Sequence, residues 1–583
     1  MFKRLFIFFV VFLILATAIC YGQADDGIQK IRLNQVGFYP DGPKIAIVLS
    51  AKASSFSVQT TAGKVVFRGA LKKSLQPDFA GNYTRIADFT SFRTPGKYVL
   101  NVPGINSSYP FEISESVHNQ LANASLKAYY FMRASIPIEK KYAGKWARPK
   151  GHPDEMVLIH SSAATSQRPE GTLISSPGGW YDAGDYNKYI VNSGISVYTL
   201  LSLYEDFPEH MKTVKLNIPE SGNGLPDLLN ETLWNIRWML TMQDDDGGVY
   251  HKLTNTEFDG MIMPDKATKP RYVVMKSTAA TLDFAAVMAQ SARIFRNFPT
   301  QLPGLADTCL RVAKKAFAWA RANPRELYNR YTMNARFSPK ITTGDYGDNN
   351  VGDEFIWAAS ELYVTTGNVQ YTKDVNLIPN DKMPLPSWSQ VRLLGYYSIL
   401  RHSEQLRAHY PDFQKLQKQF FEFAEAMIAG TDSTAYKDVI QKKRSNFVWG
   451  SNSIAGNQGM ALILAYKLSG NKKFLKYALS NLDYLLGRNG TGYCYVTSYG
   501  SKSPMHPHHR PSIADTVADP VPGLVVGGAQ PEMQDHIRVP STVPDEAYID
   551  DDKAYATNEV AINWNAPLAY LVNAIEALQG QLQ

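Results

Sequence analysis

Cysteine is nearly absent, with three in 583 residues, at Cys20, Cys309 and Cys494. So few thiols exclude a disulfide-built scaffold and a cysteine-rich zinc centre. Charge of one sign is also scarce. The formal net charge is +7, and no stretch gathers lysine and arginine into the basic stripe that nucleic acid requires. Beyond the first twenty residues no apolar run is long enough to cross a bilayer. What the chain does have is ordinary globular material in quantity, 44% hydrophobic and 19% charged residues. That is enough for a large core, and the length predicts two or more domains. Aromatics are plentiful, with 33 Tyr, 27 Phe and 9 Trp, and serve equally as core filling and as flat faces for a cleft.

Residues 1–22 read as a signal peptide. Lys3 and Arg4 give a positive start, Leu5 to Ile19 form a short apolar run, and Cys20-Tyr21-Gly22 offers a cleavage site before Gln23. This predicts a secreted or periplasmic protein. Lipid attachment at Cys20 is the weaker alternative, because Ile19 fits that signal poorly. Cleavage would leave Cys309 and Cys494, whose pairing the sequence does not decide.

From 28 to 115 short alternating runs such as Ile45–Leu49, Val65–Phe67 and Tyr98–Val102 are separated by turn residues including Ala62-Gly63 and Pro95-Gly96. They predict a small β-sandwich with no catalytic cluster of its own, bracing a larger domain. From 118 to 583 the period becomes helical, with apolar residues every three or four positions, as at Leu282, Ala285, Ala286 and Ala289. The fold class is therefore mainly α. Long irregular segments at 140–178 and 487–558 interrupt the helices, and loops of that length in a compact domain are usually functional.

One such loop holds Gly178-Gly179-Trp180-Tyr181-Asp182-Ala183-Gly184-Asp185-Tyr186-Asn187-Lys188-Tyr189. Two carboxylates stand three residues apart among aromatics and glycines. Alone, the segment reads as an Asx-rich surface turn. Gly179 to Tyr186, however, resembles the glycine-tryptophan-tyrosine and DAGD signature of glycoside hydrolase family 9, the inverting cellulases. By that resemblance Asp185 is the general base that activates water and Asp182 helps hold it. Ile218–Asp227, Ser277–Thr281, Asp353-Glu354 with Trp357, and Trp449–Asn452 resemble further family blocks in the family's order.

Downstream, Val496–Gly500 leading to Pro507-His508-His509-Arg510 is similar to the family's histidine signature, and Tyr548–Pro567 to its second acidic one. A histidine-bound metal is the rival reading of the first, and a helix-start acid that of Glu559. The resemblance makes Glu559 the general acid and Asp550 a supporting carboxylate. It gives His508, His509 and Arg510 hydrogen bonds to sugar hydroxyls, with His508 and Arg510 also orienting carboxylates. Tyr186, Trp449 and Tyr555 would stack on sugar rings. No cofactor is required for the chemistry, but a structural calcium is implied, with Asp353 and Glu354 as ligand candidates; a solvated acidic helix start is the alternative. The resemblance implies an (α/α)6 barrel of twelve helices after an immunoglobulin-like domain. The expected protein is a monomeric endo-β-1,4-glucanase acting on cellulose or a related β-glucan. The alternatives are an exo-acting cellodextrinase, a xyloglucanase or mixed-linkage glucanase, a non-catalytic glycan-binding protein, and a polysaccharide lyase. Two departures stand in the loop feeding the histidines: Gly490 where the family usually has proline, and Cys494 in place of a small hydroxyl residue.

Overall fold

The computed structural model describes residues 29–73, 79, 81–406, 410 and 412–583. The expected leader and Cys20 lie outside them. The first domain is a sandwich of two sheets, one ordered β1(Ile31–Arg32), β3(Ile45–Leu49), β7(Thr84–Asp88), β6(Lys72–Lys73). The other is β2(Gly37–Phe38), β9(Phe111–Ile113), β8(Gly96–Asn101), β4(Ser55–Thr60), β5(Val65–Ala70). Alternate residues point inward, so Ala46, Val48, Val58, Leu100 and Phe111 share one core between the sheets.

In the second domain six helices close a ring in which each packs on the next: Ile190–Asp206, Thr278–Phe295, Gly352–Thr366, Arg392–Arg401, Ser451–Ser469 and Ile562–Leu578, the last returning to the first. These helices are buried nearly all round. The helices outside them are amphipathic. Leu305–Ala322 buries Cys309, Val312, Ala313, Ala316, Phe317 and Ala320 against Thr278–Phe295, the three-to-four spacing of one helix face. Ser277 starts that inner partner by accepting from the Ala280 N–H.

Between the helices the loops build a sheet of their own, ordered β11(Leu173–Ile174), β10(Val157–Ile159), β14(Tyr272–Val273), β13(Lys252–Thr254), β12(Lys188–Tyr189). The helical period expected from 118 to 583 carries no sign of this sheet. Strands of two or three residues, drawn from segments as much as 114 residues apart, as Leu158 and Tyr272 are, leave no periodic trace. β12 follows directly on the two-aspartate loop and fixes its end.

The sandwich docks through Asn34-Gln35. Asn34 Nδ2 donates to Asp483 Oδ1 at 2.9 Å, and Gln35 Nε2 to the Gly492 carbonyl at 2.8 Å. Gln35 Oε1 accepts the Ser501 and Lys502 N–H groups, so the first domain holds the loop that leads to the histidines. Among the described residues both cysteines are free, buried thiols, and no helix is long and apolar enough to cross a membrane.

Candidate active site

The two-aspartate loop follows an irregular path imposed by its glycines. Gly178 and Gly179 adopt φ of +83° and +77°, and a Cβ on Gly179 would lie 2.7 Å from the Trp238 ring. A Cβ on Gly184 would collide with the His508 carbonyl oxygen. That close approach brings the late histidine segment against the early acid loop.

Asp182 is buried with both oxygens engaged: Oδ1 accepts from Asn192 Nδ2 at 2.8 Å and Oδ2 from the Tyr346 hydroxyl at 2.9 Å. Its main-chain carbonyl accepts the Ile562 N–H at the start of the last helix. Burial, and then the neighbouring Asp185 charge, push its carboxyl up to about 8 despite those two hydrogen bonds. Asp185 is held on one side only. Its Oδ2 accepts from Asn187 Nδ2 at 2.5 Å and Tyr189 Oη at 3.2 Å, while Oδ1 is buried with no partner in the protein.

Glu559 arrives from the other end of the domain. It lies beside His508 in an isolated parallel bridge, and its carbonyl accepts the Gly527 N–H. The Gly184 N–H, between the two aspartates in sequence, bonds its carboxylate. Burial raises its pKa well above the usual range, and the Asp185 and Asp182 charges add to the shift. The Gly184 bond and Arg510 pull the other way without cancelling it. The last helix begins at Ile562 with Ala561 as cap, so Glu559 stands outside the first turn where a helix dipole would account for an acid. All three acids line one cleft of about 490 Å³, together with Tyr346, Trp388, Trp449, Phe258 and Trp564. A carboxyl that keeps its proton, a second with a free oxygen, and aromatic faces around both suit acid–base cleavage of a bound sugar chain.

A family model described as glycosyl hydrolase family 9 matches residues 118–572. The chain belongs to glycosyl hydrolase family 9. A model of the cellulase N-terminal ig-like domain matches residues 26–107. A xyloglucan-specific endo-β-1,4-glucanase of Bacteroides ovatus is 45% identical over 554 residues, 94% of each chain. Endoglucanase D of Acetivibrio thermocellus is 32% identical over 549 residues, 93% of this chain and 82% of that one. A solved family 9 structure from Bacteroides ovatus superposes with a TM-score of 0.90 at 44% identity, covering 94% of this chain and 99% of that one.

Other expected site residues of this family 9 glycosidase are placed differently. Trp449 lines the cleft, 42% exposed, with the Tyr555 ring 5.3 Å away and His508 beyond it at 5.9 Å from Tyr555. Tyr186, expected to stack on sugar, is instead packed between His152 and Tyr181, with its hydroxyl donating to the Ile262 carbonyl. Arg510, expected to bond hydroxyls and orient carboxylates, spends its guanidinium on the carbonyls of Gly184, Asp259 and Gly260 and so clamps two loops together. His509 is buried with Nδ1 against the Ser512 hydroxyl, and His508 Nδ1 meets the Asp552 carbonyl rather than a carboxylate. The two imidazoles therefore serve different partners through Nδ1. Asp550 lies outside the cleft lining. It accepts the Met505 and His506 N–H groups and Asn558 Nδ2, fixing the histidine loop from behind.

Asp353 and Glu354 begin the helix Gly352–Thr366, away from the cleft lining but buried rather than solvated. Asp353 Oδ2 accepts the Val391 N–H. Asp353 Oδ1, both Glu354 oxygens, both Asp283 oxygens and Asp348 Oδ2 are buried without a partner. Burial first, and then the neighbouring carboxylates, raise the pKa of Asp283, Glu354 and Asp348. As the side chains stand, no three of the described His, Cys, Asp or Glu groups converge on one ion position. Even so, a set of orphaned hard oxygens suits calcium.

Tyr346, Trp388, Phe258 and Trp564 escaped the sequence reading. The available signal was thin: a lone aromatic in the polar run Asp345–Asn350, single aromatics in loops at Phe258 and Trp388, and Trp564 at the start of the last helix.

Proposed function

We propose that the protein is an endo-β-1,4-glucanase that hydrolyses a β-glucan backbone with inversion, and that a xylosyl-branched glucan is among its substrates. The observation that carries this reading is the meeting of Asp182, Asp185 and Glu559 in one cleft. Asp185 offers its free Oδ1 to a water and takes its proton. Asp182, held by Asn192 and Tyr346, keeps the loop in place, and burial and the Asp185 charge favour its protonated form. Glu559, whose proton is retained by burial and by the two aspartates, protonates the departing glycosidic oxygen. Trp449, Trp388, Tyr346 and Phe258 offer faces to the sugar rings. The branched substrate rests on the similarity to the xyloglucan-specific relative.

The closed ring of six helices, backed by outer helices, supports an (α/α)6 barrel. Asp283, Asp353 and Glu354, with Asp348, would hold a calcium ion that neutralises buried acids and ties Gly352–Thr366 to Thr278–Phe295. The signal-like leader supports export.

The test is to incubate the enzyme with xyloglucan, carboxymethylcellulose and mixed-linkage glucan and follow viscosity and reducing ends. Rapid viscosity loss on xyloglucan with few new ends supports the reading. No release from any of the three overturns it.

A further inference from the structure

The acid loop is clamped from behind by one carboxylate. Lys188 stands at the loop's C-terminal end, and its ammonium reaches back to the carbonyls of Ser176 at 3.2 Å and Gly178 at 2.8 Å, closing the segment on itself. Arg271 Nη1 donates to the Tyr186 carbonyl at 2.8 Å. Thus two cations grip main-chain oxygens on both flanks of Asp182 and Asp185. Both converge on Asp154. Lys188 Nζ lies 2.8 Å from its Oδ2, and Arg271 Nε 3.1 Å from its Oδ1, with all three side chains at most 6% exposed.

Asp154 also meets the loop through its backbone, its carbonyl accepting the Ser176 N–H at 2.7 Å. It holds a left-handed φ of +51°, and His152 beside it one of +45°. Such conformations cost energy in a non-glycine residue and persist where surroundings enforce them. His152 in turn bonds the Tyr181 hydroxyl next to Asp182.

We infer that Asp154 is the positioning residue of the acid loop, setting the place of Asp182 and Asp185 through Lys188 and Arg271. The inference rests on the reading of Asp185 as the water-activating base. Without the Asp154 charge, two buried cations face each other with no anion between them. Lys188 is already lowered by burial to about 8, with Asp154 the chief group holding it up. Losing that support, it gives up its proton, and the neutral amine left behind holds the Ser176 and Gly178 carbonyls by two weaker hydrogen bonds without charge. Asp185 then drifts from the water it must deprotonate, and a displacement on the order of 1 Å costs turnover about a hundredfold.

The experiment is Asp154→Asn in the full chain, with kcat and KM measured on cellohexaose and on β-cellobiosyl fluoride, rates being normalised to folded protein by near-ultraviolet circular dichroism. The expected result is a fall in kcat of about 10- to 100-fold with KM little changed. The fall should be equal on both substrates, because the fluoride needs the activated water but no proton donor. Unaltered kcat in folded Asp154→Asn, or a loss confined to KM, overturns the inference. Should Asp154→Asn not fold, Lys188→Gln leaves Asp154 and Arg271 as a balanced pair. It should show the same loss of kcat, and wild-type turnover in it overturns the inference. Asp185→Ala is run alongside. If that variant keeps activity the base assignment itself falls, whatever Asp154→Asn does.

Discussion

Glu559 and Asp182 are acids whose surroundings favour the protonated form, and for Glu559 that is a working condition. As the proposed proton donor it works only below its own pKa, so raising that pKa extends donation to higher pH than an ordinary glutamate allows. Turnover on unactivated glucan should decline on the alkaline side as rising pH strips the Glu559 proton, at higher pH than for an ordinary glutamate. Glu559→Gln should remove that alkaline limb and lower kcat by about 10²–10⁴-fold, while sparing much of the rate on β-cellobiosyl fluoride, whose leaving group departs unprotonated. A pH–rate profile settles the point, since an unchanged alkaline limb in the variant assigns it to another group.

At the scale of elements, the sequence was informative wherever periodicity or an ordered motif spoke. Strand runs such as Tyr98–Val102 were legible because one face is buried, and the outer helix Leu305–Ala322 carries the same signal at helical spacing. Ile190–Asp206 was not singled out, since a helix buried on nearly every side has no amphipathic stripe. The site's acids were legible as motifs. Arg510 and Tyr186 were misjudged because a motif gives residue identity and not direction: one side chain turned to backbone carbonyls and the other into the core. The clamp at Asp154 left no signal, as Asp154, Lys188 and Arg271 are far apart in sequence and meet only through the loop sheet. The helix Gly352–Thr366 carries its own prediction. If calcium screens Asp283, Asp353 and Glu354, a strong chelator should lower the thermal midpoint by about 1–2 °C, roughly the effect of 1–2 kcal/mol in a domain of this length, and added calcium should restore it. Differential scanning calorimetry reads this. Indifference to chelator, or an equal response in Glu354→Gln, contradicts the calcium assignment.

For the whole molecule, distance along the chain is what the fold removes. The acid loop near residue 182 opens the ring of helices and Glu559 precedes the helix that closes it. Tyr129 Oη and the Asp182 carbonyl both bond to Ile562, tying the start of the domain to its end. The first domain adds a strut on the far side through Gln35 and the loop at 492–502, so both domains bear on the histidine segment that touches Gly184. On the proposed assignment, water activated by Asp185 and a proton delivered by Glu559 invert the anomeric centre. Proton NMR of the first-formed products from cellohexaose tests this most directly. New reducing ends appearing first as the α-anomer and then mutarotating are the predicted result, and β-anomer appearing first would contradict the account.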